Sequence, residues 1–204
     1  MTTDPAHTAV LTMELQRGVC GDLTPVPYLT NAVTAAGVDT QAARLVQAAR
    51  TNHLTVVHCT FSIRPDGAGA RLDLPVMAAA VQHPTLLRTG DPSTQLLPGL
   101  GPEPGDLVSE RHHGLTPFTG TPLATQLRDR GITTIVACGV SLNIGIPGLV
   151  IEAVNEGFEV IVATDAVVGI PTSFGDEVLR NALAYIATLT TTDVLVDEWA
   201  AAPG

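Results

Sequence analysis

The sequence predicts a three-layer α/β/α domain, with a mainly parallel six-stranded sheet between two layers of helices. Three observations carry that expectation. Strand-like and helix-like segments alternate along almost the whole chain. The strands are unbroken apolar runs, the pattern of a parallel sheet covered on both faces. Finally, 45% of the 204 residues are hydrophobic but only 3% are aromatic, so the core has to be built from Ala, Val, Leu and Ile. A chain of this length suits one domain spanning residues 1–204.

The elements follow in order. Thr8–Met13, TAVLTM, is a short apolar strand that stops at Glu14. From Asn31 to His53 the chain is helical in character, with Ala42, Leu45, Val46 and Ala49 on one buried face. LTVVHCTF is a second buried strand. Residues 62–105 are rich in Pro, Gly and Asp, with a short helix expected near Val76–Val81; a loop section this long usually covers a site or an interface. GDLVSE is the third strand. TPLATQLRDRG is a helix with Thr121 as N-cap, Pro122 at its first position and Gly131 as its stop. ITTIVACGV is the fourth strand, PGLVIEAVNEG a helix and FEVIVATDA the fifth strand. SFGDEVLRNALAYIATL is a helix opened by Ser173, and TTTDVL closes the sheet as the sixth strand.

The formal net charge of -10 disfavours nucleic acid and anionic membrane as partners, since both need basic patches. Pro, Gly or a charged residue interrupts every apolar run before the ~20 residues a spanning helix needs. No secretory signal is visible at the N-terminus. Cys20, Cys59 and Cys138 lack CxxC spacing, so they read as free thiols in a reducing cytoplasm.

In a parallel sheet, ligands bind at the carboxyl ends of the strands. That rule points to Glu14 and Gln16, to Cys59–Ile63, to Glu110–His113 and to Gly139–Gly145. Glu14 directly follows an apolar strand, where a carboxylate costs several kcal/mol unless it is paired or protonated; such a group suits general acid/base work. The ERHHG stretch places a guanidinium, Arg111, and two imidazoles, His112 and His113, at the end of the third strand, in position to pair with Glu14 or to hold an anion. Adjacent His residues point different ways and no third ligand has suitable spacing, so no metal is expected. Gly145 opens a helix, and its N–H together with the Asn143 side chain suits an oxyanion or carboxylate cradle. Cys138 and His58 sit inside apolar strands and read as core residues.

In combination these motifs resemble the isochorismatase-like (cysteine hydrolase) superfamily. TAVLTMELQRGV is similar to its first strand, and GLTPFTGTPLATQLRDRGITTIVACGVSLNIGIPGLVIEAVNEGFEVIVATDAV to its central block; together the resemblance spans about Thr8–Leu195. It implies a Rossmann-like fold, no cofactor and a homodimer or homotetramer. Most members use an Asp, a Lys and a nucleophilic Cys. By position these fall on Glu14, on His112 (or Arg111 if the loop differs by one residue) and on Gly145, so all three depart from the pattern. The resemblance extends to true isochorismatases, which also carry glycine in place of the cysteine and hydrolyse a vinyl ether without a covalent intermediate. What it implies here is a cysteine-free hydrolase acting on a small carboxylated substrate, with Glu14 as general acid/base. Gln16, Phe61, Arg64, Phe118, Val140, Ser141 and Asn143 are the expected substrate contacts, with Arg71 and Arg88 as further anion partners. It also implies a cis peptide between Val140 and Ser141. Two alternatives stay open: an inactive member that binds a small molecule or supports a partner subunit, and an amidase using Cys20 or Cys59 from a new position.

Overall fold

A computed structural model describes residues 3–201. Its centre is a six-stranded sheet, β1 (Thr8–Met13), β2 (Thr55–Phe61), β3 (Leu107–Arg111), β4 (Thr134–Val140), β5 (Glu159–Val168) and β6 (Thr188–Thr190). Every pairing is parallel, and the strand order is β3-β2-β1-β4-β5-β6. The order reverses between β1 and β4, and in open sheets of this kind the crevice at that switch is where ligands bind.

The helices are α1 (Arg17–Cys20), α2 (Pro27–Ala36), α3 (Val38–Thr51), α4 (Ala78–Gln82), α5 (Leu123–Asp129), α6 (Gly145–Asn155), α7 (Thr172–Asn181) and α8 (Thr192–Ala201). Alternating residues of β1 serve the two faces. Val10 joins Val38, Leu45, Val46, Leu195 and Trp199 on the side of α3 and α8. Ala9, Leu11 and Met13 join Leu123, Leu127, Ile146 and Leu149 on the side of α5 and α6. Strands covered in this way have no solvent face, which is why they read as continuous apolar runs. A smaller cluster, Phe61, Ile63, Ala80, Leu86 and Leu87, lies beneath the 62–105 section.

Several boundaries differ from expectation. The stretch read as one helix from Asn31 is two, because Gly37 adopts a left-handed conformation (φ +68°) that ends α2, its N–H donating to Thr34 O and Val33 O. Pro122 caps α5 instead of starting it, while Thr121 Oγ1 accepts from the Leu123 N–H at 3.3 Å. The helix read from Ser173 opens at Thr172 and ends at Asn181, and a single 3-10 turn, Leu183–Tyr185, follows. The closing strand is only Thr188–Thr190; the expected TTTDVL strand is instead the start of α8. There Asp165 Oδ1 accepts from both the N–H and the Oγ1 of Thr192, fixing the first helical residue. Among the described residues, no helix is long and apolar enough to cross a membrane.

Candidate active site

Glu14 is where β1 leaves the sheet. Its N–H still donates to Cys59 O of β2 at 2.9 Å, but its φ is +48°. A non-glycine residue in this left-handed region costs about 1–3 kcal/mol and persists only where its surroundings impose it, a pattern concentrated at functional sites. Its side chain is 19% exposed.

Arg111 is the last residue of β3 and its side chain is 3% exposed. Its Nη2 donates to Glu14 Oε1 at 2.5 Å, a charge-assisted hydrogen bond. The guanidinium carbon also lies 5.1 Å from the centroid of Phe61, the last residue of the intervening strand β2, within cation–π range. Arg111 Nε and Nη1 are buried with no hydrogen-bond partner. Buried donors left unmet cost roughly 1–3 kcal/mol each.

Glu14, Phe61 and Arg111 line a cavity of about 290 Å³ together with Val140, Ser141 and Gly145 at the β4–α6 turn. Gly145 opens α6 and is tightly enclosed: a Cβ there would lie 2.8 Å from Val140 O and 3.2 Å from Met13 Cε. At the end of β4, Gly139 (φ +112°) abuts the Met13 backbone so closely that no side chain fits. The Val140–Ser141 peptide is cis. Ile146 N–H donates to Ser141 O and Gly148 N–H to Ile144 O, while Pro147 has no donor. The Gly145 N–H is therefore the helix-opening amide left to meet a ligand, at the positive end of the α6 dipole.

Other expected contacts lie elsewhere. Gln16 is fully buried and all of its amide is engaged: Nε2 donates to Phe61 O (3.0 Å) and Thr94 O (2.9 Å), and Oε1 accepts from Phe61 N (2.8 Å). It clamps α1 to the end of β2 and does not line the cavity. His112 follows Arg111 and so turns to the other side of the strand line; its Nδ1 lies 3.1 Å from Ser62 Oγ, and of the two candidates for the family's Lys position only Arg111 lines the cavity. Arg64 is exposed beside Asp66. Phe118 is buried against Phe158, with centroids 6.1 Å apart. Asn143 bonds both backbone groups of Ile170, donating to its O at 2.7 Å and accepting from its N–H at 2.8 Å.

The remaining walls were not singled out from sequence: Val19, Val26 and Leu29 on one side, and Val76, Met77, Ala80, Leu86 and Leu87 on the other. The available signal was the length and apolar content of the 62–105 section. All three thiols are buried, outside the cavity wall, and pushed up to about 12, chiefly by burial. That removes the physical basis for an amidase using Cys20 or Cys59, since the attacking species is the thiolate.

A second polar cluster lies on the α3 side of the sheet, running from the middle of β2 to the start of β3. His58 Nε2 lies 3.3 Å from Asp106 Oδ2, and Arg50 Nη2 donates to the same oxygen at 2.5 Å. Thr12 Oγ1 lies 2.9 Å from His58 Nδ1. Burial holds His58 below the usual imidazole range. Burial pushes Asp106 upward, but hydrogen bonds from Arg50, the Glu103 N–H and His58 outweigh it and leave its carboxyl below the usual range. Among the described residues, no group of three or more His, Cys, Asp or Glu side chains is placed to hold a metal ion.

The family model described as the isochorismatase domain matches residues 8–194. The uncharacterized isochorismatase family protein YwoC of Bacillus subtilis is 29% identical over 189 residues, 91% of this chain and 88% of that protein. The ureidoacrylate amidohydrolase RutB of Methylobacterium radiotolerans is 31% identical over 207 residues, 91% of this chain and 75% of that protein. An isochorismatase family protein of known structure from Burkholderia thailandensis is 30% identical, with a TM-score of 0.78 over 98% of each chain.

Proposed function

The chain belongs to the isochorismatase domain family, and on that premise we propose a hydrolase that works without a cysteine nucleophile, with Glu14 as its general acid/base. The observation that carries this reading is the Glu14–Arg111 pair in the wall of a cavity that is also lined by Gly145, the first residue of α6. Gly145 has no side chain to attack with, so the chemistry falls to a proton-transfer group and water.

Hydrolysis of a vinyl ether or a related C–O or C–N bond needs no more than that. In the vinyl ether case, Glu14 delivers a proton to the terminal alkene carbon, and the ether oxygen's electrons stabilise the resulting oxocarbenium ion. Water adds to the carbon that bears the ether oxygen and returns its proton to Glu14. The hemiacetal then collapses to a carbonyl compound and an alcohol. The net change is the addition of one water molecule, with the carboxyl restored. Arg111 holds the carboxyl group in place, and the Gly145 N–H is available to the leaving oxygen as the hemiacetal collapses. Such a proton transfer contributes typically 10²–10⁴-fold.

The sequence expects a carboxylated substrate. Arg64, Arg71 and Arg88 are not part of the cavity wall, and the one cation on that wall, Arg111, is already bonded to Glu14. A homo-oligomer is part of the same proposal, supported by exposed apolar side chains on α6 (Ile151 and Val154) and α7 (Phe174).

The test is Glu14→Gln against wild type on a panel of small vinyl ethers, esters and amides, with binding followed separately by calorimetry. Loss of at least about 100-fold in kcat with binding retained supports the catalytic role. A folded wild-type protein that binds panel members and turns over none of them favours the inactive binder instead.

A further inference from the structure

The charge balance of the cavity bears on what enters it. Its wall holds two charged side chains, Glu14 and Arg111, and they are bonded to each other. Thr24 and Ser141 are the other polar side chains; everything else is glycine, aliphatic, Met77 or Phe61. The arginines that the sequence offered as anion partners are engaged elsewhere. Arg64 pairs with Asp66, Arg71 with Asp73 at 2.7 Å, and Arg88 donates to Pro84 O at 2.9 Å. The pocket therefore carries no uncompensated positive charge, and the whole chain is strongly acidic.

We infer that the ligand of this cavity is an electrically neutral small molecule with an aliphatic body and one carbonyl or ether head. The inference rests on the catalytic reading for its choice of site, and on the resting Glu14–Arg111 ion pair for the class of ligand it names. With Glu14 ionised in its resting pair with Arg111, a carboxylate placed at Arg111 would leave net negative charge in a largely apolar cavity, and burying unpaired charge is costly. A dicarboxylate would do so twice over. A neutral head creates no such excess: its oxygen accepts from the guanidinium or the Gly145 N–H, and an amide N–H finds Glu14 as acceptor. Val26, Leu29, Val76, Leu86 and Leu87 then cover an aliphatic chain, and at about 290 Å³ the space sits near the lower end of the usual range for small-molecule sites.

The experiment is calorimetric titration at pH 7 with two probes of matched carbon skeleton, 4-methylpentanamide and 4-methylpentanoate, and a diacid of the same carbon number, adipate. The amide is expected to bind at least tenfold more tightly than the monoacid, with no measurable binding of adipate. Val76→Lys adds a cation at a wall position that is 57% exposed in the native chain, so folding is not at risk, and it is expected to narrow or invert that ratio. Equal or tighter binding of either acid by wild type overturns the inference, and so does failure of all three to bind a folded protein. Because binding is read without turnover, a cavity that holds the amide and hydrolyses nothing upholds this inference while sinking the catalytic one.

Discussion

Placing a methyl group on Gly145 probes how the site is built. In the native chain an added Cβ meets Val140 O at 2.8 Å, closer than real Cβ atoms approach a neighbour, and Met13 Cε at 3.2 Å. The methionine is flexible enough to yield. The carbonyl belongs to the end of a central strand and is not. Inserting a carbon into a packed site costs about 1–3 kcal/mol, and exchanging glycine for alanine in a helix returns at most about 1 kcal/mol. Gly145→Ala is therefore expected to destabilise by about 1–2 kcal/mol. For a domain of 150–250 residues each kcal/mol lowers Tm by about 2–4 °C, so the expected drop is about 2–8 °C. Paired thermal melts followed by circular dichroism or calorimetry are sufficient to read it. Gly145→Cys carries the same Cβ and should lose a similar amount, so reinstalling the family's nucleophile alone does not recreate its geometry. An unchanged or raised Tm for Gly145→Ala would refute the reasoning, since the site would then hold room the structure does not show.

Two further outcomes follow from the buried groups. With every thiol buried and pushed up to about 12, the native protein at pH 7.5 should resist iodoacetamide, and the denatured chain should take three adducts by mass spectrometry; rapid single labelling of the folded protein with loss of activity would revive a cysteine mechanism. His58 and Asp106 are both held below their ordinary values, so the unfolded chain binds protons before the folded one does. Stability should decline as pH falls below about 6.5, the unperturbed histidine value, and decline again below about 4 as Asp106 is reached. His58→Gln should flatten the first decline in chemical denaturation at stepped pH, and an unaltered profile in that variant would show that another group sets it.

The fold was legible because parallel strands buried on both faces leave an unmistakable pattern, as TAVLTM and ITTIVACGV show. Errors fell where tertiary contacts override local signals. Thr191–Leu195 has β-favouring composition, yet Asp165 caps Thr192 across the sheet and starts a helix there. Gln16 sits where a substrate contact would, but its partners on β2 and at Thr94 are distant in sequence, so its role as a clamp was not readable from spacing. Glu14, Arg111 and Gly145 were readable because strand ends are where such a fold exposes side chains. The choice between Arg111 and His112 depended on where β3 stops, and a boundary of one residue decides which of two neighbours faces the cavity.

The same strand order explains why the acid is glutamate and its partner arginine. Strands β1 and β3 are not neighbours; β2 lies between them, and two interstrand spacings amount to about 9–10 Å. Glu14 and Arg111 meet across that gap above Phe61, and both are the longer members of their charge classes. Shortening one tests whether reach matters. Glu14→Asp withdraws the carboxylate by one carbon–carbon bond, about 1.5 Å, which would open the 2.5 Å contact to about 4 Å. Arg111 has little freedom to follow, because its side chain is buried and its guanidinium packs against Phe61. The variant is thus expected to lose at least tenfold in kcat on any substrate the wild type turns over, although aspartate occupies this position in most of the family. If Glu14→Asp instead matches wild type, the pair's separation does not govern catalysis, and the proton must be moved by a carboxylate that works without its arginine.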